Sequence, residues 1–501
     1  MCVLTGAACA FLTLCVVLPA CAVAADDEAL DLDALVGTDW YGIYVLGQKA
    51  GYASTSFELE QRDGAPVVVE RLSMRLTMQV GGERSASSYE ASRVFDARPP
   101  YRLRLIESEE RAPDGSERLR IEREGDEFAV TRVAHGRTTS KRVPASHETL
   151  RDRCAVSELV RRGGKAGDSA TYVEFSLNAL GDVEQTAAVQ EVVEEEWHGK
   201  RQRVFVVTQP GDDATRTMRY LEDGTFVQGV LGDVFELRLE DEKEATRPPG
   251  RGELFEVRRK VRVEGLNLKG DEIARLTLAI KGMPEGVLVE SATQSVERPS
   301  TRAQAEGDDG VLVVTLTESA LPDAPSISDD DRTRLAEYLE ATDEIQSDHR
   351  SIRRRARLIV DEDDDPLEQA RAICAWVHRH VEASTLSNYR TALDVLRHRK
   401  GDCTEDTLLF VAFCRAAGVP ARQVDGLVYA GPGERVFGMH RWAQIWVGTW
   451  VDVDPTLGQV PADPTHIALE IEGEKWYALL KAFDALRIEV VEVERKPVSE
   501  E

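Results

Sequence analysis

The spacing of apolar residues changes along this chain, from a period of two to the spacing of helices. Residues 72–80 carry apolar side chains at alternate positions, which is the pattern of a strand with one buried face. Residues 40–45 and 49–57 flank a short turn and indicate a hairpin. We therefore expect mostly antiparallel β-sheet from about residue 38 to 325, interrupted by one helix near residues 147–162.

Helical spacing begins after residues 320–332, a passage rich in proline and aspartate that we interpret as a linker. Beyond it, apolar residues recur every three or four positions, and short strand-like runs follow. In chain order, helices are predicted at 332–359, 366–383, 391–397 and from Cys403 to about Gly418, strands at 423–429, 442–447 and 450–453, and a closing helix and strand at 475–486 and 488–493. This part of the chain is predicted to be an α+β domain.

The length of 501 residues exceeds one ordinary domain and suggests two or three. We predict a β-rich region over residues 25–325, followed by the α+β domain over residues 333–495. A Pro-Pro-Gly break at 247–250 leaves open whether the β-rich region is one domain or two.

Cys403 lies at the N-terminus of a predicted helix, within the sequence GDCTED at residues 401–406. At a helix N-terminus, unpaired backbone N–H groups and the positive end of the helix dipole favour a thiolate over a thiol. Cys374 and Cys414 lie within apolar helical faces, and we expect them to be core residues. The polar neighbours of Cys403 make it the candidate nucleophile.

Two polar residues in the following strands can complete a set of nucleophile, base and orienting group. His440 lies in the run MHRWAQIWV, and Asp454 lies in WVDVDPT. Asp452 has the same strand parity as Asp454 and therefore competes with it for the orienting role. Trp442 is close to His440 in sequence and is expected to line the substrate cleft.

These motifs, in this order, resemble the core of the transglutaminase-like superfamily of cysteine enzymes, which has a papain-like α+β fold. The resemblance covers roughly residues 345–460 and rests on GDC at the head of a helix, then RAAGVPAR, HxW and WxxxDPT. It implies Cys403 as nucleophile, His440 as general base and Asp454, through its match to DPT, as the carboxylate that orients the imidazole. The sequence departs from the family pattern at Gln444, where members often carry an acidic residue. No residue before Cys403 matches the family's upstream oxyanion-stabilising side chain.

The chain is acidic, with a formal net charge of −27, which argues against nucleic acid or an anionic membrane surface as a partner. No spacing of cysteine and histidine residues indicates a zinc site, and no calcium-loop pattern occurs. No metal and no cofactor are therefore predicted. The family resemblance implies a protein or peptide substrate, and the sequence gives no indication of the oligomeric state.

Residues 1–24 are predicted to be a signal peptide that is cleaved near Ala24. The run from Ala7 to Ala24 is apolar and uncharged, and it ends in an Ala-x-Ala sequence before acidic residues. Lipoprotein attachment at Cys21 is an alternative, and so is a membrane anchor, because about 18 apolar residues are close to the length that spans a bilayer. We therefore expect export to the periplasm or the exterior, which allows association with the cell envelope.

These features predict an exported, cysteine-dependent acyl-transfer enzyme that attacks a carboxamide or peptide carbonyl through a thioester. Cross-linking, deamidation and peptide hydrolysis share the first half-reaction, so the three catalytic side chains do not distinguish them. Two alternatives stay open: a cell-envelope binding or scaffold protein with a vestigial catalytic domain, and a dedicated cysteine peptidase.

Overall fold

A computed structural model describes residues 30–497, apart from residues 81–82, 113–114, 135–136, 178, 198, 212–213, 250–255, 258–259, 299–309, 343, 362, 385–388, 390 and 471–472. The predicted signal peptide at 1–24 and part of the break at 247–250 lie outside the described residues. No helix among the described residues is long and apolar enough to cross a membrane. The chain divides into two compact units, Met1–Val257 and Arg258–Glu501.

The first unit contains a large sheet, fifteen of whose strands fall within the described residues. Its strands are β1 (Gly37–Val45), β2 (Gln48–Arg62), β3 (Ala65–Val80), β4 (Glu83–Asp96), β5 (Leu103–Ala112), β6 (Gly115–Glu124), β7 (Glu127–Ala134), β8 (Arg137–Pro144), β9 (Ser169–Ser176), β10 (Gly181–Trp197), β11 (Lys200–Gln209), β12 (Arg216–Leu221), β13 (Phe226–Leu231), β14 (Phe235–Glu240) and β15 (Glu256–Val257). Two helices accompany them, α1 (Leu150–Arg161) and α2 (Glu242–Ala245). The predicted mostly antiparallel β region is confirmed.

The order of strands in this sheet follows from two successive meanders. Strands β1 to β8 run outward in one direction, and β14 back to β9 in the other, with β1 and β14 paired at the junction. The predicted first hairpin is present, because Leu46 and Gly47 both adopt left-handed backbone angles between β1 and β2. Two buried ion pairs hold α1 in place: Arg153 with Glu70 at 2.8 Å, and Glu148, just before the helix, with Arg93 at 2.6 Å.

The second unit combines a nine-stranded described sheet with a layer of helices. Its strands are β16 (Lys260–Glu264), β17 (Ile273–Lys281), β18 (Gln294–Glu297), β19 (Leu312–Thr317), β22 (Ala421–Tyr429), β23 (Val436–Trp446), β24 (Trp450–Val453), β25 (His466–Leu469) and β26 (Arg487–Arg495), and a separate pair is formed by β20 (Glu382–Ala383) and β21 (Lys400–Gly401). The helices are α3 (Asp329–Arg334), α4 (Arg350–Ile359), α5 (Pro366–His380), α6 (Ala392–His398), α7 (Cys403–Ala417) and α8 (Gly473–Ala482).

One face of the central strands in this unit packs against the helices. Ala443 and Ile445 of β23, with Val451 and Val453 of β24, belong to the same buried cluster as the apolar residues of α4, α5 and α7. Burial of this kind contributes about 25 cal/mol for each Å² of apolar surface removed from water. The cluster therefore fixes α7, and with it Cys403, against β23.

The boundary between the two units differs from the prediction. The chain divides after Val257, near the suggested break at 247–250, and not at the passage 320–332. Strands β16 and β17 pair with the last strand, β26, and β16 also pairs with β23. The predicted catalytic domain at 333–495 thus lacks strands that complete its own sheet.

The predicted helix at 332–359 is two helices, α3 and α4, joined by an irregular segment that includes a single 3-10 turn. The interruption has a local cause. Thr342 Oγ1 accepts a hydrogen bond from the backbone N–H of Ile345, and Gln346 adopts a left-handed φ of 41°. Neither feature is compatible with a continuous α-helix.

Candidate active site

Cys403 is the first residue of α7, and a capping box fixes the start of that helix. Asp402 Oδ1 accepts a hydrogen bond from the Thr404 N–H at 2.8 Å, and Glu405 Oε2 accepts one from the Asp402 N–H at 2.9 Å. The helix ends at Gly418, which has a left-handed φ of 87°. Cys403 is half-buried, whereas the residues from Glu405 to Cys414 are buried. The helix thus presents its N-terminal cysteine at the surface of a rigid core.

His440 and Asp454 meet Cys403 from the sheet. His440 lies on β23, opposite Gly426 of β22, and Asp454 follows directly after β24. His440 Nε2 lies 2.7 Å from Asp454 Oδ2, and the His440 ring also hydrogen-bonds with Cys403. Because Nε2 is engaged by Asp454, Nδ1 is the ring nitrogen left for the thiol. The structure therefore brings together the three residues that the sequence singled out.

The Asp454 carboxylate is held in a fixed orientation. Its Oδ1 accepts hydrogen bonds from the backbone N–H groups of Thr456 and Leu457 at 2.8 and 3.0 Å. The backbone of Asp454 pairs in both directions with that of Gln459, at 3.0 and 2.9 Å. The side chain is fully buried. The DPT sequence thus forms a turn that aims Oδ2 at His440.

Hydrogen bonding governs the charges of this pair. Burial of Asp454 opposes ionisation, but hydrogen bonds from His440 and His466 hold the pKa of its carboxyl well below the usual range. Burial likewise opposes protonation of His440, but its hydrogen bonds to Asp454 and Cys403 and their charges raise its pKa to about 10. At neutral pH the site therefore contains an imidazolium facing an aspartate.

His466 is a site residue that the sequence reasoning missed. It begins β25, and its Nε2 lies 3.1 Å from the same Asp454 oxygen that binds His440. Its Nδ1 lies 2.9 Å from the backbone oxygen of Asp463. One sequence feature could have drawn attention to His466. The tripeptide Asp-Pro-Thr occurs at 454–456 and again at 463–465, directly before this histidine.

Asp452, the competitor of Asp454, has a structural role. Its Oδ1 accepts hydrogen bonds from Trp442 Nε1 and Gln444 Nε2, each at 2.9 Å. Its Oδ2 accepts one from Thr293 Oγ1 at 3.0 Å. Gln444, the departure from the family pattern, is therefore used to satisfy this buried carboxylate.

The prediction that Trp442 lines the substrate cleft is contradicted by its burial. Trp442 is only 1% exposed and so offers no surface to a substrate. Its ring lies beside that of His440, with centroids 6.3 Å apart and planes 17° apart. Trp442 supports the histidine from within the sheet.

Cys374 and Cys414 are buried core residues, as predicted. Burial raises the pKa of the Cys374 thiol to about 12, and it raises that of Cys414 well above its ordinary value. Both thiols are thus protonated and shielded, whereas Cys403 is only half-buried.

His440, Asp454 and His466 form a group whose possible ligand atoms all lie within 4.8 Å of one another. The nitrogen-to-oxygen distances of 2.7 and 3.1 Å are those of direct hydrogen bonds. They are shorter than the separation of about 3.3 Å between two ligands around a tetrahedral zinc ion. The geometry is therefore that of two imidazoles donating to one carboxylate.

Gly426 has no side chain, and the backbone of Ile467 and the ring of Trp442 occupy the space that a side chain would need. A Cβ at this position would lie 2.1 Å from the backbone oxygen of Ile467 and 2.6 Å from the Trp442 ring. We expect Gly426→Ala to lower the free energy of unfolding of the second unit by about 1–3 kcal/mol or more, because a backbone atom has to move. Urea unfolding measures this change. Gly433→Ala is the control, because no atom beyond the adjacent residues lies within 4 Å of its Cβ position. An equal loss of stability in both variants would contradict the close packing of Gly426 as the cause.

Asp406, one turn after Cys403, carries a buried Oδ1 that accepts no hydrogen bond within the described part of the chain. Burial raises its pKa to about 7, compared with about 3.9 for an unfolded aspartate. The folded state therefore keeps a proton that the unfolded state loses. The stability that this proton contributes is complete below pH 4 and is lost as the pH rises through 7.

We therefore expect Asp406→Asn to be more stable than the wild type at pH 8, by about 2–4 kcal/mol. At pH 4 the two proteins are expected to have similar free energies of unfolding, since both are neutral at this position. Urea unfolding at both pH values checks this. A difference of the same size at pH 4 and pH 8 would show that the effect does not come from ionisation.

Comparison with known proteins places residues 353–455 in a family. This segment, which contains Cys403, His440 and Asp454, matches the model of the transglutaminase-like superfamily. An uncharacterized protein of Mycobacterium leprae is 29% identical over 99 residues, which cover 18% of this chain and 36% of that protein. The chain thus spans about a third of the length of this curated relative.

Two solved structures are similar to parts of the chain. A candidate cysteine protease from Cytophaga hutchinsonii has 15% identity and a TM-score of 0.29, covering 48% of this chain and 91% of its own. A candidate protease from Parabacteroides distasonis has 12% identity and a TM-score of 0.18, covering 68% of this chain and 63% of its own. At these TM-scores neither likeness adds to the assignment, which rests on the family match. The chain carries a domain of the transglutaminase-like superfamily.

Proposed function

We propose that this protein is a cysteine-dependent acyl-transfer enzyme in which Cys403 is the nucleophile, His440 the general acid and base, and Asp454 the orienting carboxylate. The observation that carries the proposal is the convergence of the three side chains on a helix N-terminus. A 2.7 Å hydrogen bond links His440 to Asp454, and the imidazole contacts Cys403.

In the first half-reaction, the Cys403 sulfur attacks the carbonyl carbon of a carboxamide or peptide bond. His440 donates its proton to the leaving nitrogen, the C–N bond breaks, and the acyl group remains on Cys403 as a thioester. The N–H of Cys403 is one of the first-turn donors that a helix leaves unpaired, so it is available to the developing oxyanion.

In the second half-reaction, neutral His440 takes a proton from the attacking nucleophile. A primary amine then forms an isopeptide or other amide, whereas water releases a carboxylic acid. Cys403 leaves as the thiolate and His440 is again the imidazolium. Asp454 supports both protonation states by fixing the ring and keeping Nε2 protonated.

The proposed substrate is a protein or peptide, because these molecules carry the carboxamide and peptide bonds that Cys403 is proposed to attack. The test uses casein and a glutamine-containing peptide amide, each with and without a small primary amine, followed by mass spectrometry of the products. Covalent incorporation of the amine indicates transfer, while deamidation or cleavage in either condition indicates hydrolysis. Products that form equally with Cys403→Ala would contradict the proposal.

We also propose that the protein acts outside the cytoplasm, on the basis of the apolar run before Ala25. The intact mass of protein purified from envelope or culture fractions should correspond to a chain that begins near Ala25. A full-length cytoplasmic product would contradict export. Lipid attachment at Cys21 would appear as a chain that begins at that residue with added acyl mass.

A further inference from the structure

The Asp454 carboxylate serves two histidines, and the proposed mechanism uses only one of them. His440 and His466 both approach the same oxygen, Oδ2, at 2.7 and 3.1 Å. The His466 side chain is 4% exposed, so it does not reach a substrate. Its side chain nevertheless shares Asp454 Oδ2 with that of His440.

The hydrogen-bond partners of His466 determine its charge. Nδ1 faces the backbone oxygen of Asp463, and Nε2 faces the carboxylate of Asp454. A carbonyl and an ionised carboxylate are acceptors only, so both ring nitrogens have to donate. His466 is therefore an imidazolium, consistent with a pKa that its hydrogen bonds to Asp454 and Asp463 raise to about 9 in spite of burial.

A second aspartate holds this cation. Asp463 Oδ1 lies 3.5 Å from His466 Nδ1 and accepts hydrogen bonds from the Thr465 N–H and Oγ1 at 2.9 and 2.6 Å. Its Oδ2 accepts one from Gln459 Nε2 at 2.8 Å. Although burial opposes ionisation, these contacts lower the pKa of Asp463 to about 2. The result is a row of alternating charges: Asp463, His466, Asp454 and His440.

Other titratable or charged groups near this row lie on the elements packed against it: Cys403 and Asp406 on α7, Cys374 on α5, and Arg441 on β23. Burial keeps Cys374 neutral, and Arg441 is engaged by Asp425 at 2.7 and 2.8 Å. His466 is thus the cation in direct contact with the carboxylate that His440 depends on.

We propose that His466 is a positioning residue that holds Asp454 as an anion shared between two imidazoles, and that its positive charge limits how tightly His440 retains its proton. The proposal rests on the function assigned to Cys403, His440 and Asp454. With Asp454 alone, a buried imidazolium would hold its proton strongly and donate it poorly to a leaving amine. The second cation weakens that hold while it keeps the carboxylate in place.

The expected size of the effect follows from the geometry. The ring centroids of His440 and His466 are 6.0 Å apart. At an effective dielectric constant of about 20, two unit charges at this distance disfavour protonation of the second by about two pH units, and by about one unit if the local dielectric constant is twice as high. Removing the charge of His466 should therefore raise the pKa of His440 by about one to two pH units.

The test is an NMR titration of ¹⁵N-histidine-labelled protein in a Cys403→Ala background, where the thiolate no longer adds to the pKa of His440. His466→Gln keeps a donor toward Asp454 but removes the charge. We expect the pKa of His440, identified by its loss in His440→Gln, to rise by about one pH unit or more. His398→Gln is the control, since His398 stacks on Tyr389 and bonds to the Asp394 backbone.

A purely structural role for His466 would leave the pKa of His440 unchanged or lower it by exposing the ring, and either result in a folded variant would overturn the proposal. If His466→Gln does not unfold cooperatively, Asp463→Asn takes its place. That substitution removes the negative charge of Asp463 and should therefore lower the pKa of His466. Once His466 is neutral, it no longer disfavours protonation of His440, so the pKa of His440 should rise. A His440 titration that Asp463→Asn leaves unchanged would also overturn the proposal. Because no turnover is measured, an inactive protein would count against the proposed function and not against this inference.

Discussion

Replacing Cys403 with alanine is expected to abolish acyl transfer, with a loss of at least about 10⁴-fold in turnover, while the second unit stays folded. The thioester cannot form without the sulfur, and removal of a catalytic nucleophile typically has effects of this size. Cys403 is half-buried at the helix start and contributes no side chain to the buried apolar clusters of the unit. Its loss should therefore change the free energy of unfolding by less than about 1 kcal/mol.

Cys414 on the same helix provides the matched control. It is fully buried in the cluster that joins α7 to β23. Cys414→Ala should lower stability by about 1–2 kcal/mol, since it removes buried volume, while each folded molecule stays active. Turnover and urea unfolding of both variants are the measurements. Activity that survives in Cys403→Ala, or disappears in folded Cys414→Ala, would show that the nucleophile has been misassigned.

Asp454→Asn is expected to reduce kcat by about 10³–10⁴-fold, as substitutions that leave the base in the wrong tautomer do. All four hydrogen bonds to the Asp454 carboxylate come from donors: two backbone N–H groups on Oδ1 and two imidazoles on Oδ2. The NH₂ of an asparagine has to point either at the two backbone N–H groups or at the two imidazole N–H groups. In both cases a hydrogen-bond donor then faces other donors. In either orientation His440 loses the charge that favours its protonated form, and it also loses its acceptor when the NH₂ occupies the position of Oδ2.

Asp452→Asn is the matched control for this variant, because Asp452 is a buried carboxylate two residues earlier that accepts hydrogen bonds from Trp442 and Gln444. Asp452→Asn should lower the free energy of unfolding, but the kcat of the folded fraction should stay within about tenfold of the wild-type value. The two variants are compared by steady-state kinetics after correction for unfolded protein. Equal losses of kcat in both would mean that Asp454 has no orienting role of its own.

The local features of this site could be predicted from the sequence because they depend on neighbouring residues. The helix of Cys403 is defined by a polar cap, an apolar period and a terminal glycine. Strand parity placed Asp452 and Asp454 on one face and so made them competitors for the orienting role. The family resemblance, through the DPT motif, selected Asp454 over Asp452. In the structure Asp454 hydrogen-bonds with His440, whereas Asp452 binds Trp442 and Gln444.

The features that could not be predicted depend on residues distant in the chain. The boundary lies after Val257, and not at 320–332 as predicted, because β16 and β17 pair with β26, more than 200 residues later in the chain. No local sequence pattern indicates such a pairing. Trp442 was expected in the cleft, but the His466 ring and Gly426 pack against it and Asp452 accepts its indole N–H, so it is buried. His466 follows the second Asp-Pro-Thr, but the tripeptide does not indicate a partner, and the contact with Asp454 depends on the position of β25.

The most direct test of the account is the rate at which iodoacetamide modifies Cys403 in the folded protein at pH 6 and pH 8, followed by peptide mass mapping. An ordinary thiol loses about a hundredfold in rate over this interval, because its thiolate fraction falls. With His440 protonated beside it, Cys403 should lose less than about tenfold, react before buried Cys374 and Cys414 at both pH values, and regain the ordinary pH dependence in His440→Ala. A hundredfold decrease in the wild type that His440→Ala leaves unchanged would contradict the claim that Cys403 and His440 act as a catalytic pair.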